Sequence, residues 1–515
     1  KREGEKMEKN KSKWIHIIII VLGIIWVSIP IFHSNLWFDE AYSVGMANHT
    51  FGEIWNIGGH DVHPVLYYWI LHILNLLFGN QIMLYRIFSA ICVAILGILG
   101  YTHIRKDFGD KTGMFFSFLV FFFPINLVYA GELRMYTLAM LLVTLMAIYA
   151  YRIYIRKEEN NIKNWILFAI FSLASAYSHY YALVAAGIIN LLLLISLVID
   201  AKEKKQFTCG LKAFIISAVV QIVLYIPWIM YLLLQVSQVS NGFWIGISFP
   251  GTIIEFFTFQ FTGNLGDTTY VSNILAGIFG IIICVYMIYL YAKNKKESNE
   301  KNKKKERNPA LLAIGVYGLV ILAVCLASLI IWRPVIYARY MLCVTGLFLF
   351  FLADTMAKMG NKKWNILIGT LCIAISIVIM INLVQSNYDV SNQAPLEYIK
   401  ENIQEGDVIL NGNEGSGFVI GANYPEHTHY FWDQAVWNVE EAYKAFGTDM
   451  HTVYNLDDFK DFTGRVWIIN ANNYAICDYV LENFENAELL EKKEFKTKYK
   501  NFEYTFALVQ FGDVP

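Results

Sequence analysis

Two adjacent carboxylates, Asp39 and Glu40, stand in the stretch HSNLWFDEAYSVG (33–45), just beyond the apolar run WIHIIIIVLGIIWVSIPIF. An ionised carboxylate within reach of a substrate proton is a general base, and a neighbour can orient it or balance its charge. Most exposed acids are merely solvated. Here the frame of Trp37, Phe38 and Tyr42 and the position at the end of a hydrocarbon-like run favour chemistry. Downstream, GGHDVHPVLYYW (58–69) gathers His60, Asp61 and His63. Gly58 and Gly59 permit a sharp turn, and Pro64 suits the first turn of the next helix. The three polar side chains could orient a substrate, and His60 and His63 could hold a divalent metal ion, although His-x-x-His on an irregular loop is a weak metal pattern.

Cations follow. LYRIFSA carries Arg86, and YAGELRMYTLA carries Glu132 and Arg134. The planar guanidinium fork matches phosphate oxygens; the ordinary alternatives are snorkelling to lipid phosphates and, for Arg134, neutralisation by Glu132. AYSHYYALVAAG places His179, Tyr180 and Tyr181 together as substrate-contact candidates, although interfacial tyrosines are commonplace. WRPVIYARYML brings Arg333 and Arg339 close together, and this pair calls for an anionic ligand.

The elements that position these residues are membrane helices. Of 515 residues, 56% are hydrophobic and only 16% charged, against roughly 25% charged in soluble chains, and the mean hydropathy is +0.43. Apolar runs of about 20 residues recur, so the chain is a polytopic α-helical membrane protein. The first run is too long for a signal peptide and reads as an uncleaved helix. Placing the six basic segments, from the N-terminus to KMGNKK (358–363), in the cytoplasm gives about eleven spans. After the first and the second (82–104) come pairs at 114–130 with 134–151, 164–178 with 181–199, 211–234 with 271–292 and 310–332 with 339–357, then 364–384. The segment 64–78 does not fit this count and reads as a helix lying at the outer interface, within an outer loop 35–81 of juxtamembrane helices. The candidate residues then all meet at the outer face, as polar groups around a cavity would.

The transmembrane domain is read as 14–385 and a soluble extracytoplasmic α/β domain as 386–515, with the Lys-rich stretch 293–307 a disordered cytoplasmic linker. In the C-terminal part, DVIL, GFVI, RVWIIN and TFALVQF read as strands and 394–403 and 473–486 as helices. Seven scattered cysteines, one of them (Cys477) in the C-terminal part, give no metal spacing and no internal disulfide there. Nothing points to nucleic acid.

FDEAYS, HDVHPVLYYWILH, LYRIFSA, ELRMYTLA, SHYYAL and YARYML, in that order, resemble the protein-O-mannosyltransferase and aminoarabinose-transferase superfamily over residues 14 to about 357. The resemblance implies a GT-C fold and an inverting glycosyltransferase that takes a sugar from a polyprenyl-phosphate donor. It implies a catalytic base at Asp39 with Glu40 as companion, Arg86 on the carrier phosphate, and Arg134 and Arg339 in supporting motifs. His63-Pro64 stands where the family has His-Pro-Pro, with Val65 a departure. Some relatives carry a metal ion near this loop, which keeps His60 and His63 open as ligands. The acceptor would be a cell-envelope glycan, lipid or protein, and the setting a bacterial plasma membrane with the N-terminus inside. The rival reading is a transporter or flippase of a lipid-linked or small solute; against it, no mid-membrane charge relay or inverted repeat is visible.

Overall fold

The computed structural model describes residues 2–512 apart from 243, 248–250, 263–269, 302–307, 360, 413–414, 433–439 and 460–461. Of the Lys-rich stretch, residues to Lys301 continue the helix Tyr270–Lys301, and 302–307 lie outside the described residues.

Among the described residues, eight helices are long and apolar enough to cross a membrane, or nine if the pair Asp110–Phe122 and Pro124–Ala130, bent by 57°, is one span. The other two of the eleven expected spans fall on the shorter apolar helices Ile162–Ala176 and Ile274–Leu290. A 15-residue helix such as the first is roughly 22 Å long against a hydrocarbon core of about 30 Å. The chain is a multi-pass membrane protein. The bend at Phe123 has a local cause. Pro124 has no N–H to continue the ladder, and Asn126 Nδ2 donates to the carbonyl of Val120 at 2.9 Å. The broken end delivers residues 131–134 to one end of the bundle. The two most enclosed spans, Tyr136–Tyr154 and Ala338–Lys358, begin at that same end.

Between the first two spans the chain makes α2 (Phe38–Asn48), α3 (Phe51–His60) and α4 (Leu66–Phe78), α1 being Arg2–Ser28. With 13 residues, α4 is about 20 Å long and too short to cross. Thr50 and Glu53 form a reciprocal capping box at the start of α3. Gly58 and Gly59 lie inside α3 rather than in a sharp turn. There they let a neighbouring helix approach: a Cβ on Gly59 would fall on the ring of Tyr231, and Gln235 Nε2 donates to both glycine carbonyls at 2.9 Å. Pro64 precedes the helix instead of sitting in its first turn.

The C-terminal domain is a mixed six-stranded sheet of β1 (Val408–Asn411), β2 (His429–Trp432), β3 (Met450–Val453), β4 (Gly464–Asn470), β5 (Ala487–Lys496) and β6 (Glu503–Phe511), in the order β3-β2-β1-β4-β6-β5. The first four are mutually parallel, and β6 is antiparallel to both its neighbours. Helices fall at Ala394–Asn402 and Ala475–Asn483, close to where the pattern puts them. GFVI does not form a strand but lies in the helix Ser416–Asn423, whose buried face packs on α2; a four-residue apolar run does not discriminate the two. β5 is charged and solvent-exposed, as suits an edge strand, and so carries no burial pattern to read.

This domain docks on α2 through aromatic rings. Phe418 stacks on Phe446 at 4.0 Å between centroids, and Phe38 meets them at 6.0 and 5.2 Å. A Cβ on Gly45 would fall on the carbonyl oxygen of Ala445, so α2 admits the domain only with glycine there. Phe418 is fully buried. Phe418→Ala should therefore destabilise the C-terminal domain by about 3–5 kcal/mol, seen as early proteolytic release of fragments from 390–512 while the helical signal persists.

Candidate active site

The connector from α1 to α2 is lashed to the chain leading into the C-terminal domain. Tyr388 Oη donates to the carbonyl of Ile29 at 2.6 Å and accepts from Phe32 N–H. Asn387 Nδ2 donates to the carbonyl of Pro30, Asn35 Nδ2 to that of Asn387, and Gln393 Nε2 to Asn35 Oδ1. Asp39 and Glu40 then fall in the first turn of α2 rather than on a loop, where negative charge is favoured by the helix dipole. Consecutive helical residues point about 100° apart, so the two carboxylates have different surroundings.

Glu40 is wholly buried. Arg86 Nη1 and Nη2 grip its two oxygens at 2.6 and 2.9 Å, Tyr499 Oη donates at 2.7 Å, and Leu133 N–H at 3.1 Å. Arg86 also donates to the carbonyls of His33 (3.2 Å), Gly131 (2.5 Å) and Asn35. All five of its N–H groups are thereby engaged within the protein. Arg86 is thus a clasp between connector, α2 and the 131–134 turn, its N–H groups already taken up by the protein where the resemblance implies a grip on the carrier phosphate.

Asp39 keeps 13% of its surface, and its Oδ2 lies 2.8 Å from Arg339 Nη2. Burial alone would raise its pKa, but Arg339 foremost, then Arg134 and Lys500, hold it below the ordinary 3.8. Asp39 is an ionised carboxylate at neutral pH. The Arg339 guanidinium is ringed by Tyr337, Trp37 and Tyr136 at 5.0–5.9 Å, and its Nε is buried without a hydrogen-bond partner. Of the three aromatic residues that frame the acids in the chain, Trp37 lies against Arg339, Tyr42 packs on His63 and under the Arg134 guanidinium, and Phe38 faces the C-terminal domain.

Arg134 does not pair with Glu132. Its Nη1 donates to the carbonyl of Asp39 at 3.0 Å, and its Nη2 to His63 Nε2 at 2.7 Å. Arginine only donates, so Nε2 is the acceptor, and Nδ1–H of His63 points to Asp61 Oδ2 at 2.6 Å. Burial would raise the Asp61 pKa, but His63 overrides it and keeps the acid ionised. Both ring nitrogens of His63 are engaged, and His60 Nδ1 faces the carbonyl of Asn56 at the end of α3. Among the described residues no group of three or more His, Cys, Asp or Glu converges that could hold a metal ion. Glu132 instead faces Lys500, with Oε2 3.9 Å from Nζ; burial pushes its pKa up.

His179 caps the helix Tyr180–Lys204, accepting from Tyr181 N–H. Tyr181 Oη bonds the carbonyl of Val335, and Tyr180 Oη bonds Gln235. These hydrogen bonds tie the three residues to neighbouring backbone and helices. Arg333 donates to the carbonyls of Ser240 and Asn241 at a helix C-terminus, which accounts for one of the two unexplained cations. Tyr499 and Lys500 were not anticipated: they lie 459 residues and more from Glu40, and no local pattern marks them.

A helical membrane bundle with a polar site at one end, covered there by a mixed-sheet domain, is the GT-C fold. A crystal structure of ArnT from Cupriavidus metallidurans in the apo state matches with a TM-score of 0.60 at 10% identity, covering 97% of this chain and 98% of that one. The same protein bound to undecaprenyl phosphate matches with a TM-score of 0.56 at 10% identity, covering 96% and 98%. Residues 62–231 match the family described as dolichyl-phosphate-mannose-protein mannosyltransferase. No curated protein sequence gives a match.

The clasp makes a stability prediction. Arg86→Ala leaves Glu40 charged and unpaired in the interior and should cost about 3–5 kcal/mol, while an apolar pair such as Arg86→Met with Glu40→Leu should recover much of it. Thermal unfolding in detergent compares the proteins. An Arg86→Ala protein that melts like wild type but no longer binds polyprenyl phosphate would return Arg86 to the phosphate.

Proposed function

We propose that this protein is an integral-membrane inverting glycosyltransferase that moves a sugar from a polyprenyl-phosphate donor to an acceptor hydroxyl. The reaction occurs at the extracytoplasmic face of a bacterial plasma membrane, with the N-terminus inside and the C-terminal domain outside. The observation that carries the reading is the ionised Asp39 carboxylate, 13% exposed and 2.8 Å from Arg339; Arg339 in turn lines a cavity of about 1270 Å³ between the bundle end and the C-terminal domain. The shared fold and the family match support the same class. That ArnT is seen with undecaprenyl phosphate supports a lipid-phosphate carrier.

In this mechanism the acceptor hydroxyl approaches Asp39, which takes its proton. The oxygen attacks the anomeric carbon and the bond from that carbon to the phosphate oxygen breaks. The electron pair departs with the polyprenyl phosphate, whose developing charge Arg339 stabilises. One displacement inverts the anomeric centre. Arg134 holds Asp39 through its backbone carbonyl and is itself fixed by His63 and Asp61, so these three position the base. The acceptor is a glycan, lipid or protein of the envelope, and the sugar is whichever donor releases in the test below.

Wild type and Asp39→Asn, purified in detergent, are incubated with a panel of radiolabelled polyprenyl-phosphate sugars, with slow release of sugar to water as readout. Release from one donor should fall by roughly 10²-fold or more in Asp39→Asn, with lipid binding retained. Near-normal turnover in Asp39→Asn removes the base. Silence across the panel with no binding favours the transporter. The pH profile supplies a second check. A base held below 3.8 stays ionised, so the rate should be flat between roughly pH 5 and 7 and fall only in stronger acid. An acid limb near pH 6 would assign the base to another group.

A further inference from the structure

The cavity beside Asp39 is not built by the membrane helices alone. Its wall carries four cationic side chains, Arg86, Arg339, Lys498 and Lys500, against two carboxylates, Glu132 and Asp389. Arg86 and Arg339 already have counter-charges in the buried Glu40 and in Asp39, and Asp389 is engaged by Ser391 N–H and Oγ–H at 2.9 and 2.6 Å. Lys498 and Lys500 come from the C-terminal domain. Lys500 Nζ stands 4.8 Å over the ring of Trp37, whose ring also lies 5.7 Å from the Arg339 guanidinium. Its nearest carboxylate oxygen, Glu132 Oε2, is 3.9 Å away, beyond hydrogen-bond reach.

The loop that presents Lys500 is fixed on both sides. Lys498 N–H donates to Ser391 Oγ, its carbonyl accepts from Ser386 Oγ–H, and Tyr499 N–H donates to Asn392 Oδ1 at 2.8 Å. Tyr499 is buried against Arg86 and hydrogen-bonded to Glu40. Lys500 and Asn501 follow with φ of 54° and 52°, a left-handed backbone that L residues avoid. That turn sends Tyr499 inward to the clasp while Lys500 stays at the cavity.

We propose that Lys500 is a phosphate-binding residue, so that the carrier's phosphate is seated between Lys500 of the C-terminal domain and Arg339 of the bundle, over Trp37. This rests on the glycosyl-transfer reading and deepens it: the donor site is composite, and the C-terminal domain is part of it. A lysine ammonium and an arginine with an unpartnered Nε, beside one aromatic face, suit a monoanionic or dianionic phosphate at the end of an apolar chain.

The test uses full-length protein in nanodiscs and three probes: radiolabelled undecaprenyl phosphate, undecaprenol and inorganic phosphate. Lys500→Met keeps the stem over Trp37 and removes the charge; Lys500→Arg restores it. Undecaprenyl phosphate binding should weaken roughly tenfold or more in Lys500→Met, the scale of one charge-assisted hydrogen bond, and return in Lys500→Arg. Undecaprenol binding and the melting temperature of the free protein should not move. Equal binding of undecaprenyl phosphate by wild type and Lys500→Met overturns this inference and leaves the proposed reaction standing. Folded wild type that binds no undecaprenyl phosphate overturns both. Inorganic phosphate bound as tightly as the lipid, and through Lys500, would overturn the carrier assignment in favour of a free anion.

Discussion

A buried ion pair holds this site together. Arg86 and Glu40 meet at 2.6 Å with almost no exposure, and a pair in that position is stable only if every remaining donor and acceptor is satisfied. The chain meets that demand with backbone: the carbonyls of His33, Asn35 and Gly131, and the N–H of Leu133. These partners belong to different segments of the chain. The connector after α1, the turn after the broken helix and the start of α2 are thus located relative to one another by the hydrogen-bonding needs of one guanidinium and one carboxylate. Tyr499 adds the C-terminal domain to the same arrangement.

The clasp also explains why two neighbouring carboxylates do different things. Helical geometry turns them apart, and the environments complete the separation. Glu40 accepts four hydrogen bonds and meets no solvent. Asp39 keeps an open edge, with its charge balanced by Arg339. In the proposed reaction the closed carboxylate fixes the backbone from which the open one works. A carboxylate so close to a cation is a weak base in the ground state. It suits a step in which the proton moves as the oxygen attacks, because Arg339 is then drawn to the charge developing on the departing phosphate.

Much of this was legible in the chain. Apolar run length gave the membrane bundle, and the order of FDEAYS, HDVHP, LYRIF, ELRMY and YARYM gave the GT-C class. Asp39, Arg134, His63 and Arg339 do come together. What could not be read was pairing. Whether Arg134 would meet Glu132 or His63, and whether Arg86 would face ligand or protein, depends on contacts across 46 to 95 residues. Arg333 and Arg339 look alike as a motif, yet one caps a helix and the other meets Asp39. GFVI reads as a strand but folds as a helix, and the charged edge strand β5 carries no pattern that marks it, for the same reason: their conformations are set by what they pack against, not by a local period.

The arrangement bears on why a membrane protein of this design would carry its C-terminal domain covalently. Among the contacts of the C-terminal domain with the rest of the chain, two differ in character. One is the dry aromatic contact of Phe418 and Phe446 with Phe38, next to a glycine that leaves room for a carbonyl. The other is the polar loop around Tyr499, which reaches the clasp and the cavity. The first is non-directional; the second depends on register, since Tyr499 reaches Glu40 only when the domain sits in one place. Docking by apolar rings therefore brings the domain close, and the hydrogen bond to a carboxylate selects the orientation. Because Glu40 adjoins Asp39 on one helical turn, that orientation is transmitted directly to the residue proposed to take the proton.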